Sequence, residues 1–393
     1  MSSPASSAPR VIAFVNLAHF IDHYAMLVFA AAVVGMAPAF DLPYGVLLPY
    51  AMPGFIAFGA GSLLAGWLGD RWSRHKLMAI FFFGIGLSLC GVGLARSPLE
   101  VGVALFAVGV FAAIYHPVGT ALLVSQADHL GRQMGINGVW GNIGVAASAL
   151  VTGGLMAAFG WRWAFVIPGM LTIGLGIAFL ALVPEVAGRA NKPKTATVPL
   201  SPADRRRVIL SLLITVIASS TTFNAVTVAL PKLFTERLTG FPLSPMALGA
   251  VMAGVYLFGA VTQVIVGRAV DRFALKWVFL ALALLPAPLL AIAAGQANLG
   301  LILAMIGIII GLFGQVTVND AMVGRYTADA VRARAYAIRY FVGFTAAGLS
   351  VGLVGPLHES GGFTSVLTAL AALCCLTILG AIIFPKAPAP STL

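Results

Sequence analysis

The chain reads Gly66-Trp-Leu-Gly-Asp70-Arg71-Trp-Ser-Arg74-His-Lys76 and, 201 residues later, Gly267-Arg-Ala-Val-Asp271-Arg272-Phe-Ala-Leu-Lys276. Both stretches hold a glycine, an Asp-Arg pair four residues on, and a basic residue at the end, and each follows a long apolar run. A motif that recurs at a fixed displacement indicates an internal duplication. The motif therefore predicts two similar units that each carry the same loop.

A second pair of residues supports the duplication. Arg132 is followed by Gly141 nine residues on, and Arg334 is followed by Gly343 at the same spacing, with a displacement of 202 residues between the pairs. The longest polar stretch lies between the two halves and is rich in proline and basic residues, which is typical of a linker. The predicted domains are 1–183, a six-helix bundle; 184–206, a cytoplasmic linker; and 207–393, a second six-helix bundle.

The composition is that of a membrane protein. Of 393 residues, 60% are hydrophobic and 9% charged, and the mean hydropathy is +1.00. A soluble domain carries about a quarter charged residues, so that class is excluded. Each crossing needs about 20 apolar residues, and runs without strict alternation are helices rather than barrel strands. We predict an all-α polytopic protein with spans at 11–35, 44–68, 77–95, 100–126, 134–157, 163–183, 207–232, 244–266, 277–294, 299–324, 334–357 and 363–384.

The net charge of +11 orients the protein and does not indicate a nucleic-acid partner. With these spans, 18 of the 23 lysine and arginine residues lie on one side of the membrane. Positively charged loops remain in the cytoplasm, so both termini are predicted to be cytoplasmic. We expect a multi-pass protein of a bacterial-type inner membrane, whose partners are the lipid bilayer, protons and a small-molecule or ion substrate.

The repeated loop and the six-plus-six layout resemble the major facilitator superfamily. The resemblance covers essentially the whole chain and implies two pseudo-symmetric six-helix bundles that transport a solute by alternating access. The chain departs from the family pattern at Ser73 and Ala274, where the family has glycine, and Leu105 to Ala113 lacks the charged motif of many proton antiporters.

A second resemblance is to the fosmidomycin-resistance type of efflux transporter. It is carried by Asn16-Leu-Ala-His-Phe-Ile-Asp-His23 in span 1, Tyr115-His-Pro117 in span 4, and Gly138-Val-Trp-Gly-Asn-Ile-Gly144 in span 5. This resemblance implies export of a small organic compound and places the site between spans 1 and 4.

The family resemblance also implies a cytoplasmic gate. Asp70 would lie against the start of span 11 near Arg334, where a helix N-terminus attracts a carboxylate. The alternative is that Asp70, Arg71, Arg74 and Lys76 only orient the loop. The predicted gating residues are Asp70, Arg71, Arg74, Asp271, Arg272, Arg334, Asp320 and Arg339.

Ionisable residues inside spans are costly and usually functional. Apart from Glu100 at the first position of span 4, Asp22 and Asp320 are the acidic residues in predicted spans, and Asp22 lies near the middle of span 1. Asn16, His19, His23 and Met26 form a stripe beside Asp22 at helical spacing, and His116 lies at a similar depth in span 4. A carboxylate beside imidazoles suits proton coupling. The alternative is a polar network that only stiffens the bundle. The full predicted coupling and binding set is His19, Asp22, His23, His116, Asn142, Asn224, Gln315 and Asn319.

In the second half, Asp320 and Arg339 lie at similar depth. An ion pair that supports the inner gate is as well supported as a contact with substrate.

Three functions remain open. The preferred one is proton-coupled export of a small organic compound. A transition-metal transporter is the second, with His19, His23, Met26 and His116 as ligands, because imidazoles at i and i+4 share a helical face. Uptake of an organic anion is the third, with Arg339 or Lys232 as the counter-charge. The sequence has no Gly-x-x-x-x-Gly-Lys-Ser/Thr loop, so an enzyme is not expected, nor is a cofactor, and a monomer is the default.

Overall fold

The computed structural model describes residues 8–127, 130–185, 200–240, 243–327 and 329–386, and it leaves the side chains of 130, 131, 329–334 and 337 undescribed. In these ranges every regular element is a helix, and eleven helices are long and apolar enough to cross a membrane. The first ten are α1 (Ala8–Ala39), α2 (Tyr44–Arg71), α3 (Arg74–Leu94), α4 (Pro98–Gln126), α5 (Leu130–Phe159), α6 (Trp163–Leu182), α7 (Pro202–Arg237), α8 (Pro245–Arg272), α9 (Leu275–Ala293) and α10 (Asn298–Tyr326).

The eleventh helix supplies two crossings. It runs from Asp329–Ile383 but is interrupted at Gly361 and Gly362, where the backbone is not helical. Gly362 has φ of 62°, a left-handed conformation that glycine adopts without steric cost. The break separates α11 (329–360) from α12 (363–383). The predicted all-α polytopic fold with twelve spans is therefore confirmed.

The helix α7 begins earlier than the hydropathy pattern predicts. Its N-cap is Ser201, whose hydroxyl accepts a hydrogen bond from the backbone of Asp204 at 3.1 Å. A serine cap of this kind satisfies an N–H group at the helix start. The residues 202–206 of the predicted linker are thus the first turn of α7, while 186–199 lie outside the described residues.

The chain divides into two compact units. The first consists of Met1–Lys192 and Leu243–Ala253, and the second of Pro193–Pro242 and Gly254–Leu393. In the first unit, α1 packs against α5, α2 against α4, and α3 against α6. A methyl group at Gly86 would lie 2.7 Å from the backbone oxygen of Gly169, so α3 and α6 meet at a contact that only glycine allows.

In the second unit, α7 packs along α11 and α12, while α9 lies against α10. Its apolar core at one end of these helices contains Phe279 of α9, Met322 of α10 and Phe384 beyond α12, all fully buried. Ser211 of α7 donates a hydrogen bond to the backbone oxygen of Gly380 at 2.7 Å, which joins α7 to α12.

The two units repeat a helix cap. His75 donates from Nε2 to the backbone oxygen of Val183 at 2.7 Å, just beyond α6. Lys276 donates from Nζ to the backbone oxygen of Phe384 at 2.6 Å, just beyond α12. Donor and acceptor are each displaced by 201 residues, the displacement of the loop motif. The last carbonyl groups of a helix lack partners within it, and a cation there is favourable.

A second cap is repeated on the other helix ends. Arg162 donates to the backbone oxygens of Gly93 at 2.9 Å and Ala95 at 2.6 Å, at the end of α3. The corresponding carbonyls after α9 accept from Arg237, at Ala294 with 2.8 Å and at Gln296 with 3.4 Å. The acceptors are displaced by 201 residues, but the two arginines are not at equivalent positions. Both units therefore cap the end of this helix with an arginine, but the two arginines come from different positions in the repeat.

We expect Lys276→Met to lower the free energy of unfolding by about 1 kcal/mol, because the backbone oxygens of Ile382 in the last turn of α12 and of Phe384 just beyond it lose their donor. The unfolding of the purified protein in detergent measures this change. Arg268→Met removes an exposed arginine near the end of α8 and serves as the control. Equal stability of the two variants would contradict the capping role.

Candidate functional site

Three histidines converge in the first unit. His19 and His23 lie one turn apart on α1, and their Nε2 atoms are 3.1 Å apart. His116 comes from α4, and one nitrogen from each of the three rings lies within 4.8 Å of the others. All three side chains are half-buried. The structure therefore brings together the histidines that the sequence predicts.

The helix α4 has a wider turn at His116. Residues Tyr115–Gly119 form a π-helical turn, and Pro117 within it has no N–H group to donate. In a regular helix, neighbouring side chains diverge by about 100°. Here the rings of Tyr115 and His116 both approach His19, with centroids at 4.8 Å and 5.6 Å. Such π-helical turns are frequent at functional sites.

Asn137 of α5 connects the polar residues of this region. Its backbone oxygen accepts a hydrogen bond from His19 Nδ1 at 2.7 Å. Its side chain accepts from Tyr115 Oη at 3.0 Å and donates to Asn16 Oδ1 at 3.0 Å. The bond from Nδ1 places the proton of neutral His19 on that atom, so Nε2 is the acceptor for His23 Nε2–H. Asn137 thus sets the tautomer and the orientation of His19.

Asp22 is fully buried halfway along α1. Its Oδ2 lies 3.4 Å from Nε2 of His116. Apart from this contact, neither carboxylate oxygen has a hydrogen-bond partner in the part of the chain that the structure describes. A buried carboxylate is stable only with a cation beside it or a proton on it. Asp22 and His116 therefore form the buried pair of ionisable groups of the site.

Glycines bring α5 close to α1 at this point. A methyl group at Gly141 would lie 2.6 Å from Nε2 of His19, and one at Gly144 would lie 3.0 Å from the carbonyl carbon of Phe20. Small residues permit this approach between helices in a membrane. The glycine-rich stretch of α5 therefore positions the histidine ring.

Two other predicted residues lie next to the cluster along the chain. Met26 is half-buried one turn beyond His23, and Asn142 is half-buried immediately after Gly141. Sequence reasoning missed Asn137, the residue that joins three side chains of the site. The available signal was an amide within an apolar span, four residues before Gly141 on the same helical face.

The second unit holds a different charged pair. The guanidinium of Arg339 on α11 donates to Asp320 Oδ1 on α10. Tyr336 donates to the backbone oxygen of Asp320 at 3.0 Å, and Arg339 lies 5.1 Å from the centroid of the Tyr340 ring. The Arg339 side chain is 10% exposed. The structure therefore forms the ion pair that the depths of the two residues predict.

The predicted polar residues of the second unit contact different neighbours. Gln315 of α10 donates to the backbone oxygen of Leu282 at 3.2 Å, and Asn319 accepts from Thr215 of α7 at 3.4 Å. Asn224 donates to the backbone of its own helix at 2.9 Å. The first two contacts join α10 to α9 and α7, while Oε1 of Gln315 has no hydrogen-bond partner among the described residues. A role in binding substrate stays a prediction for all three.

The two copies of the loop motif form different ion pairs. Asp70 is 77% exposed and lies 3.6 Å from Arg74, one turn on, while Arg71 lies on the ring of Trp67. Asp271, which is 76% exposed, accepts instead from Arg325 at the end of α10, at 3.0 Å.

Arg272 is exposed, and the side chain of Arg334 lies outside the described residues. The gating role of these residues stays a prediction.

A family model described as the Major Facilitator Superfamily matches residues 12–251 and 212–393. The chain belongs to this superfamily. The prediction of superfamily membership is confirmed, and this member is a multi-pass membrane protein. The resemblance to the fosmidomycin-resistance type stays a prediction.

The similar curated proteins include two resistance proteins. Puromycin resistance protein pur8 of Streptomyces alboniger is 33% identical over 131 residues, which are 33% of this chain and 25% of that protein. A multidrug resistance protein B homolog of Mycobacterium tuberculosis is 31% identical over 125 residues, 30% of this chain and 22% of that protein. The chain aligns with a quarter or less of the length of these relatives.

The structural likeness covers nearly the whole chain. A bacterial homolog to human lysosomal transporter, Spinster, crystallised in an inward-facing and occupied conformation, has a TM-score of 0.78 with 13% identity. The match covers 98% of this chain and 97% of that chain. At this identity the likeness shows the fold alone.

We expect Gly141→Ala to reduce the free energy of unfolding by about 1–3 kcal/mol, because its methyl group displaces the ring of His19 from Asn137 and His23. Gly138→Ala is the matched control on the same helix, since a methyl group there meets nothing within 4 Å. Unfolding of both variants in detergent measures the difference. If Gly141→Ala is as stable as Gly138→Ala, the close approach of α5 to His19 is wrong.

Proposed function

We propose that this member of the superfamily is a secondary active transporter that exports a small organic compound in exchange for protons, by alternating access. The observation that carries the proposal is the buried Asp22–His116 pair beside the hydrogen-bonded rings of His19 and His23. Charged groups at this depth in a membrane protein usually mark an ion or substrate pathway. The inferred substrate site lies where α1, α4 and α5 meet.

The pair holds a proton for a physical reason. Asp22 is buried and accepts no hydrogen bond from a described backbone or side chain other than its contact with His116. A proton on either partner stabilises the two together, whereas the unprotonated pair leaves a buried negative charge. In alternating access the site opens to each side in turn, and the proton exchanges with each solution.

Export of an organic compound is supported by the names of two similar proteins, a puromycin resistance protein and a multidrug resistance protein B homolog. Uptake of an organic anion would need a cation to receive the substrate. Its two candidate cations are already in ion pairs, Arg339 with Asp320 and Lys232 with Glu236 at 3.1 Å. In each pair the carboxylate offsets the attraction of the cation for an anionic substrate.

The distribution of lysine and arginine supports an orientation with both termini in the cytoplasm. In this orientation the loop motif lies on the cytoplasmic side, where Asp70 and Asp271 would belong to the inner gates. We propose that the protein works as a monomer in an inner membrane of bacterial type.

We expect Asp22→Asn to reduce substrate-driven proton movement to the level of empty liposomes, because the amide cannot carry the exchanged proton. The purified protein is reconstituted with a pH-sensitive dye inside the liposomes, and puromycin and fosmidomycin are the first probes. Asp204→Asn makes the same chemical change near the solvent end of α7 and is the matched control. Unchanged substrate-driven proton movement in folded Asp22→Asn would overturn the coupling role.

We expect Asp70→Asn to abolish transport while leaving insertion and folding intact. The amide of the variant has no negative charge, so it would lack the attraction of the carboxylate to a helix N-terminus in the closed gate. Asp70 is 77% exposed and contacts Arg74 of its own loop, so its removal costs the fold little. Transport in the same liposomes, together with the yield of monodisperse protein, measures the two effects separately. Wild-type rates in the variant would show that the loop charges have no gating role.

A further inference from the structure

The three-histidine cluster has the geometry of a metal site. The Nε2 atoms of His19 and His23 are 3.1 Å apart. One ring nitrogen from each of His19, His23 and His116 lies within 4.8 Å of the other two. Metal–imidazole bonds are about 2.0–2.1 Å, so two imidazole nitrogens on one tetrahedral ion lie about 3.3 Å apart. We infer that His19, His23 and His116 together bind a divalent transition-metal ion.

The hydrogen bonds behind the rings are those that metal-bound histidines require. A ligating histidine usually donates its other N–H to a carbonyl or a carboxylate, which fixes the ring and the tautomer. His19 donates Nδ1–H to the backbone oxygen of Asn137 at 2.7 Å, which leaves Nε2 for a metal. Asp22 Oδ2 lies 3.4 Å from Nε2 of His116 and so holds that ring in place. Two of the three rings thus have an orienting partner.

The charge of the surroundings also favours a cation here. Asp22 is fully buried and has no hydrogen-bond donor other than His116 in the part of the chain that the structure describes. A divalent ion bound by the imidazoles would place positive charge near this carboxylate. The carboxylate would remain beside the ring of His116 and would not bind the ion itself. The site would then resemble the carboxylate–histidine–metal arrangement of known metalloproteins.

The donor set selects the class of ion. Three imidazole nitrogens suit Zn²⁺, Ni²⁺, Co²⁺ and Cu²⁺, whereas Mg²⁺ and Ca²⁺ require oxygen ligands. Three protein ligands also leave a fourth position for water or for a transported compound. The inference goes beyond the proposed function, because a metal ion at these rings is a ligand in its own right, whichever compound is exported.

The test is equilibrium binding to the purified full chain, produced with an affinity tag that contains no histidine. Co²⁺ is the probe, because the absorbance of its complex reports coordination by nitrogen ligands, and Zn²⁺ is added to displace it. We expect one Co²⁺ per chain, displaced by one Zn²⁺. His116→Asn and His19→Gln should each abolish this binding, while His358→Asn should retain it.

His358 is the matched control because it lies on α11 and contacts Glu236 at 3.0 Å, in the second unit. Thermal unfolding shows whether each variant folds. If one of His116→Asn and His19→Gln does not fold, Co²⁺ binding by the other is the test. Co²⁺ binding that is absent in the wild type, or unchanged in folded His116→Asn and His19→Gln, would overturn the inference.

The binding measurement uses neither a gradient nor an organic substrate, so its failure is separate from failure of the proposed function. Absent metal binding together with Asp22-dependent proton exchange would overturn the metal site alone. Metal binding by a chain that exchanges no protons would support the metal site and overturn the proposed function.

Discussion

A carboxylate that lies halfway along a membrane-spanning helix must be satisfied by its own protein, because lipid offers neither water nor donors. Asp22 is this carboxylate, and the arrangement of the first unit follows from it. The helix α4 brings His116 to within 3.4 Å, and a π-helical turn at Tyr115–Gly119 places two successive rings against His19. The polar centre is then enclosed by α5, whose Gly141 leaves room for the ring of His19.

This arrangement joins packing to chemistry. Asn137 uses its backbone and its side chain to hold His19, Tyr115 and Asn16, so the tautomer of one histidine depends on the position of α5. The same geometry supports both proposals. The imidazole that Asn137 holds through Nδ1 presents Nε2, which accepts a hydrogen bond from His23, and this atom can accept either a proton or a metal ion instead. A change at the contact of α1 with α5 should therefore affect the chemistry of the site as well as stability.

The two units kept their architecture but not their polar centres. The caps at Val183 and Phe384 are displaced by 201 residues, as are their donors at 75 and 276. By contrast, the buried charge of the second unit is the ion pair of Asp320 with Arg339, which forms between α10 and α11. Helix ends must be capped in any six-helix bundle. The interior polar residues were free to diverge, because each unit had only to satisfy its own charges.

Local chemistry along the chain was enough to predict the spans, the duplication and the histidine stripe. Long apolar runs can form only helices in lipid, and residues three or four apart share a helical face. The similar depth of Asp320 and Arg339 left an ion pair and a contact with substrate equally open, and the structure forms the ion pair. The role of Asn137, the π-helical turn of α4, and the separate partners of Gln315 and Asn319 did not follow. Depth along a helix can be counted from the sequence, but the direction of a side chain depends on how helices distant in sequence pack together.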